Sequence, residues 1–420
     1  MSLSSSGSSI FRTHLPGIIA ALTLLMIYGF LAFLRHSETL IWDEGRYLIY
    51  AKNLTQGFYV DSADPDFVNG PGYPIVLMPF CWSTQGWLMA RLLNAVLMAG
   101  SSSFVWLTLR QYASAGWAAA GAWIIGLHPS LLWIGFAIMT EPLTMFCLTG
   151  FMWSFCHALR LGSWRWIITA ALFLGWLTLT RVFFGHVIVA SAIMGLGLLF
   201  YRGWRVQIRR ALLILSGAFL LCIPYLFHTW QKTGQVLCWS TNSGELLYWM
   251  CSVNEGENGH WFRYSDAKED PMLAGKHAAF FTAALKKPAL EREALFKQAA
   301  VANFRANPVQ VGYNWLCNLS RLAFGFPRSH QVEELRYVAF IIANGPLILL
   351  AGIMGLLGLW RWRTVPVEVW FLMGFTAFYL GGSSLAPSLP RYFVPVYPLL
   401  MLGIAAVWKN NVVCQLKKMD

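Results

Sequence analysis

What most constrains this chain is a series of apolar runs, joined by short links that carry arginine and almost no acid. A membrane span needs roughly 20 apolar residues, because a helix of that length satisfies every backbone amide and carbonyl internally across the hydrocarbon. Ten runs meet or approach that length, at 17–34, 87–109, 115–132, 138–158, 166–181, 182–201, 211–229, 337–359, 367–382 and 392–408. The break between the third and fourth is placed at His128-Pro129-Ser130, since proline removes a helical donor. The first run follows Arg12 and His14 without a small-residue cleavage site, so it reads as a signal anchor retained as the first span.

Composition agrees. Of 420 residues, 57% are hydrophobic and only 12% charged, against about 25% charged in soluble domains. The expected fold class is an all-α polytopic membrane protein of about ten transmembrane helices, with interfacial helices and a small mixed α/β external lobe. The net charge of +12 would suggest nucleic acid in a soluble protein. Here the positive-inside effect accounts for it, and no nucleic-acid partner is expected. Arg12, Arg110, Arg160, Arg165, Arg202, Arg205, Arg209, Arg210, Arg361, Arg363, Lys409, Lys417 and Lys418 fall on one side, with Asp420 the clear acidic exception. Both termini are then cytoplasmic, and the external segments are 35–86 and 230–336, facing the periplasm if the host membrane is a bacterial inner membrane. The chain divides into an N-terminal membrane module (1–229), the external lobe (230–336) and C-terminal membrane helices (337–420).

Within the lobe, "GQVLCWSTNSGELLYW" suggests strands and turns. "KKPALEREALFKQAAVANFRANP" reads as an amphipathic helix opened near Pro288 and stopped at Asn307-Pro308. Cys238, Cys251 and Cys317 fall in this segment, and one disulfide among them is allowed; no Cys/His metal cluster is visible.

Ion-coupled transporters keep ionisable residues within their spans. Here the span centres are nearly free of them; the exception, His186, is expected to hydrogen-bond a neighbouring helix. Charges stand instead at the outer ends of spans. Asp43, Glu44 and Arg46 follow the first, Glu141 opens the fourth, Arg181 ends the fifth, and Arg391-Tyr392 opens the tenth among prolines. Each has a plain explanation: interfacial charge, a helix cap, or an arginine reaching for headgroups. Together they predict a polar pocket at the external interface, suited to an anionic group carried on a lipid.

These residues resemble a known family. "WDEGRY" after the first span looks like the acidic motif of the GT-C glycosyltransferases, in the branch of the protein O-mannosyltransferases and the lipid A aminoarabinose transferase. "NGPGYP", "TEPLTMF", "LTR", "STNSGELLYW" and "PRYFVPVYPLL" fit in the same order, so the resemblance covers most of the chain. It implies transfer of a hexosyl or pentosyl group from a polyprenyl-phosphate donor to a lipid, glycan or protein hydroxyl at the external face, with inversion. Asp43 then matches the catalytic acidic residue.

Such chemistry needs a carboxylate to take the acceptor proton and positive charge to stabilise the departing phosphate. Asp43 is the expected base, with Glu44 or Glu141 orienting the acceptor. Arg181, Arg391 and Arg46 are the expected phosphate ligands. A Mg²⁺ or Mn²⁺ held by Asp43 and Glu141 would serve the same end. Arginines are favoured because no Asp-x-Asp pair stands out. A transporter or flippase of lipid-linked glycans, or a polymerase or ligase using them, is the alternative reading.

Overall fold

The computed structural model describes residues 5–35, 39–61, 63–83, 86–329 and 336–409, with side chains of residues 5–13 and 336 left aside. The Arg12 side chain, Lys417, Lys418 and Asp420 lie outside this set. Its helices are α1 (Ser5–Leu34), α2 (Glu44–Thr55), α3 (Gly72–Leu77), α4 (Gly86–Leu109), α5 (Ala115–Gly126), α6 (Pro129–Ile134), α7 (Glu141–Leu161), α8 (Trp164–Thr180) and α9 (Phe183–Leu198). They continue with α10 (Arg205–Thr233), α11 (Ser243–Met250), α12 (Tyr264–Glu269), α13 (Pro271–Leu285), α14 (Ala289–Ala306), α15 (Pro308–Phe324), α16 (Arg336–Trp360), α17 (Val367–Ser383) and α18 (Val396–Trp408).

The expected apolar runs fall mostly on helices, although the third, 115–132, is split between α5 and α6. Among the described residues, five helices are long and apolar enough to cross a membrane, namely His14–Leu34, Gly86–Leu109, Glu141–Leu161, Arg202–Thr233 and Tyr337–Trp360. Shorter apolar helices at Ala115–Gly126, Trp164–Thr180, Phe183–Leu198 and Val396–Trp408 pack among them. This is an integral membrane protein. Its outer helices expose large apolar residues such as Met26, Phe30, Leu220, Ile342 and Leu356, which water would penalise and lipid does not. Proline acts where expected: His128 caps α6 through its Nδ1, which accepts from Ser130 N at 3.2 Å, and Pro129 starts that helix.

α7 is the axis of the bundle. It is buried over most of its length and packs against α4 and α8, while α10 covers α8 and α17 bridges α9 and α18. Its start carries Glu141. Its end, about 30 Å away at 1.5 Å per residue, carries Arg160, whose Nε lies 2.7 Å from Glu368 Oε1. Lys409 Nζ donates to Gln111 O at 2.8 Å at that same end. The basic links thus gather at the end of the bundle opposite Glu141.

The expected mixed α/β lobe is corrected: no strand occurs among the described residues, and α11 to α15 make the lobe helical. The β-branched and aromatic stretch before α11 packs onto the membrane helices instead of pairing. Trp239 is buried against Tyr225, whose hydroxyl donates to Trp239 O at 2.9 Å. A single backbone contact, Thr241 N to Phe67 O at 2.9 Å, ties this stretch to the first loop. The amphipathic helix is α14, capped by Pro288 and ended by Asn307. Cys238, Cys251 and Cys317 are buried free thiols. His186 also departs from expectation. Among the described residues it has ring contacts only, with centroids 6.1 Å from Phe183 and 6.5 Å from Trp239.

Candidate active site

Helix ends converge on a cavity of about 240 Å³ at the Glu141 end of α7. Asp43, Glu141, Arg181, Arg391 and Tyr392 all line it, although they come from parts of the chain far apart in sequence. Asp43 is the N-cap of α2 and Glu141 the first residue of α7. Arg181 is the C-cap of α8, and Arg391 lies in the 3₁₀ turn Pro390–Tyr392 before α18. Acids therefore sit at helix N-termini and Arg181 at a C-terminus, where the exposed amides and carbonyls favour each sign of charge.

Glu141 is buried at the centre. Its Oε1 lies 3.3 Å from Arg181 Nη2 and 3.7 Å from Arg391 Nε. Both guanidiniums also lie against the Tyr392 ring, at 4.9 Å and 5.3 Å from its centroid. Arg181 Nη1 donates to Tyr379 OH at 3.5 Å, and Tyr379 OH donates to Tyr392 O at 2.9 Å. Two buried atoms of the cluster, Glu141 Oε2 and Arg391 Nε, have no hydrogen-bond partner. Buried polar atoms rarely stay unpaired, and those in a cavity are available to a ligand.

Asp43 is half-buried. Its Oδ1 is 3.7 Å from Arg46 Nη1, an exposed pair worth little. The chain enters α2 through Trp42 at φ 50°, a left-handed conformation that costs a bulky residue of order 1–3 kcal/mol. Beside Asp43, Tyr47 contributes a buried phenol whose pKa is raised by burial and by the Asp43 and Glu141 carboxylates. It stays protonated and accepts from Asn69 Nδ2 at 3.4 Å.

Glu44, expected beside Asp43 as a catalytic residue, does not line this cavity. Its carboxylate belongs to the wall: Oε1 accepts from Ile138 N and Oε2 from Ile41 N, both at 2.7 Å. Arg91 Nη2 lies 3.2 Å from Oε1, and Arg91 also donates to Arg35 O. Both side chains are fully buried. Arg46 likewise does not line the cavity; it stays exposed at its edge.

Sequence reasoning missed Arg91. Three residues on, Asn94 donates to Ala137 O at 2.7 Å and accepts from Tyr73 OH at 3.1 Å. Two polar residues at i, i+3 in an apolar run share a helix face, and that was the available signal. The glycines of "NGPGYP" have a steric cause. A Cβ on Gly70 would lie 2.1 Å from Leu179 O, and one on Gly72 2.6 Å from Thr180 N. This turn packs backbone to backbone against the residues just before Arg181.

Among the described residues no three His, Cys, Asp or Glu gather as metal ligands. Asp43 and Glu141 remain a two-carboxylate set with one unpartnered oxygen.

No protein-family model matches the chain, and no curated protein matches it. Among solved structures it aligns over 95% of its length with the archaeal oligosaccharyltransferase AglB from Archaeoglobus fulgidus, in complex with an inhibitory peptide and a dolichol-phosphate. The identity is 13% and the TM-score 0.50. The chain covers 52% of AglB, about half that protein's length. ArnT from Cupriavidus metallidurans bound to undecaprenyl phosphate aligns at 14% identity and TM-score 0.40, over 95% of this chain and 78% of ArnT. Its apo state gives 13%, 0.39, 93% and 76%. The chain thus shares the fold of the AglB structure over most of its own length.

Proposed function

We propose that the protein is a membrane glycosyltransferase that moves a sugar, with inversion, from a polyprenyl-phosphate donor to an acceptor hydroxyl. The reaction takes place at the periplasmic face of a bacterial inner membrane, opposite the basic links. One observation carries this reading: the Asp43 carboxylate and the Arg181 and Arg391 guanidiniums share one cavity.

Asp43 takes the acceptor proton as the acceptor oxygen attacks the anomeric carbon. The bond from that carbon to the phosphate oxygen breaks on the opposite face, and polyprenyl phosphate leaves with its negative charge. Arg181 and Arg391, aligned by Glu141 and Tyr392, meet that charge; Arg391 Nε, buried and 3.7 Å from Glu141 Oε1, makes no hydrogen bond among the described residues and can turn to a phosphate oxygen. A bound Mg²⁺ or Mn²⁺ would be held by Asp43 and Glu141 Oε2 and would add Lewis-acid neutralisation of the phosphate. The isoprenoid tail runs between helices in the membrane plane.

The test is incubation of the purified protein with a panel of polyprenyl-phosphate sugars and a membrane extract, followed by mass analysis. Consumption of one donor with release of polyprenyl phosphate is expected. Failure to consume any of them, with transbilayer movement of one instead, would replace the enzyme with a flippase.

A further inference from the structure

The segment 251–263 has no regular structure but is firmly held. Asn314 Nδ2 donates to Met250 O at 3.1 Å and to Ser252 O at 2.7 Å. Arg321, fully buried, donates through Nη2 to Asn258 O at 2.8 Å and Gly259 O at 3.1 Å. Asn258 and Gly259 have φ of 54° and 63°, so the chain turns sharply there. A guanidinium buried on backbone carbonyls is a costly way to fix a loop. What the fixed loop presents is Trp261, whose side chain is 39% exposed.

The indole is oriented as well as exposed. Its Nε1 donates to Glu245 Oε1 at 3.2 Å, which uses the ring's polar edge and leaves its face to solvent. Glu245 precedes Leu246 on α11, and Leu246 lines the cavity that holds Asp43. Nearby, Arg292 lies 3.0 Å from Asp66, and the exposed Arg46 lies 3.7 Å from Asp43. Burial raises the Glu245 carboxyl from its ordinary value, against the lowering hydrogen bond from Trp261.

We propose that Trp261 and Glu245 form the acceptor subsite and that the acceptor is a glycan, seated with the C–H face of a neutral sugar on the indole and a hydroxyl on the Glu245 carboxylate. This rests on the transferase reading. A neutral sugar satisfies both features of the subsite, an apolar ring face and a hydrogen-bonding rim.

The test uses full-length protein in lipid nanodiscs and ligand-observed saturation-transfer NMR. The probes are neutral oligosaccharides of glucose, mannose, galactose and N-acetylglucosamine, with a Ser/Thr-rich peptide alongside. At least one oligosaccharide should bind, about ten-fold more weakly to Trp261→Ala. Trp261→Phe should retain part of the affinity. The proposal is overturned if no oligosaccharide binds, if only the peptide binds, or if Trp261→Ala binds as tightly as the wild type. Donor turnover followed in the same preparations separates the two readings. Turnover that depends on Asp43 but is indifferent to Trp261 removes the glycan subsite alone. Oligosaccharide binding that depends on Trp261, without turnover of any donor, removes the transferase alone.

Discussion

Glu141 and Arg181, forty positions apart in the chain, meet across 3.3 Å at the centre of the cavity, and the same Glu141 oxygen faces Arg391 Nε at 3.7 Å. One carboxylate thus offsets the charge of one guanidinium, leaves the trio with a net positive charge, and holds both arginines beside it. Glu141→Gln keeps the shape and removes the charge. Polyprenyl phosphate should then bind more tightly to the unneutralised pair, while transfer falls because product leaves slowly and the arginines lose alignment. Product-inhibition kinetics check this. Weaker phosphate binding in Glu141→Gln would show that Glu141 holds a cation.

Asp43→Asn should leave the fold intact, because the carboxylate's ion pair is a 3.7 Å contact with an exposed arginine. Transfer should fall by about 10²–10⁴-fold, the usual worth of a positioned base. Donor binding, which depends on Arg181 and Arg391, should change little. Single-turnover rates and equilibrium donor binding on the same preparation separate the two effects; an Asp43→Asn enzyme with wild-type rates removes the base assignment.

Glu44→Gln and Arg91→Met should behave in the opposite way. Removing one member of a buried, hydrogen-bonded pair strands the other charge and typically costs about 3–5 kcal/mol. Both substitutions should lower the thermal unfolding midpoint markedly, whereas Asp43→Asn should not. The comparison tests whether neighbouring acids on α2 serve separate tasks, one facing substrate and one joining α2 and α4 to the backbone before α7.

The contrast also marks where the sequence was legible. Asp43, Glu141, Arg181 and Arg391 stood out because charge at the end of an apolar run is costly and rare, and Tyr392 came with Arg391 as its neighbour. The structure brings all five to one cavity. Glu44 was not separable from Asp43, because adjacent residues on a helix start differ by direction alone and direction is set by tertiary partners such as Ile138 N. The stretch before α11 misled for a related reason. β-branched and aromatic residues report a half-buried surface, and here that surface is met by Tyr225 and Phe67 rather than by a partner strand.

In the lobe, burial with Arg321 and Arg328 nearby pushes His260 down from 6.5 to about 3. The folded state keeps the imidazole neutral, while the unfolded chain protonates it near its ordinary value. The unfolded state therefore binds more protons as pH falls, so this contribution is complete above pH 6.5 and shrinks steadily toward pH 3. The wild-type unfolding midpoint should drop from about pH 8 to about pH 5, and His260→Asn should flatten the slope over that window. Glu257 is no confounder there: burial opposes the shift, but hydrogen bonds from His277 and Ser252 hold its carboxyl below 4.5. An equal slope in His260→Asn would show that other groups set the acid sensitivity.

Gly72→Ala tests whether the glycine turn positions Arg181. The new methyl would meet Thr180 N at 2.6 Å and the Leu179 carbonyl carbon at 2.7 Å, both backbone atoms that no side-chain rotation can clear. The end of α8 must move, carrying the Arg181 guanidinium away from Glu141. A displacement near 1 Å at a reacting group commonly costs about 10²-fold in rate. Transfer should fall on that order while membrane insertion persists. Gly29→Ala on α1, where a Cβ meets nothing within 4 Å, is the control and should leave activity unchanged. Equal activity in the two variants would mean that the turn tolerates the strain without disturbing Arg181.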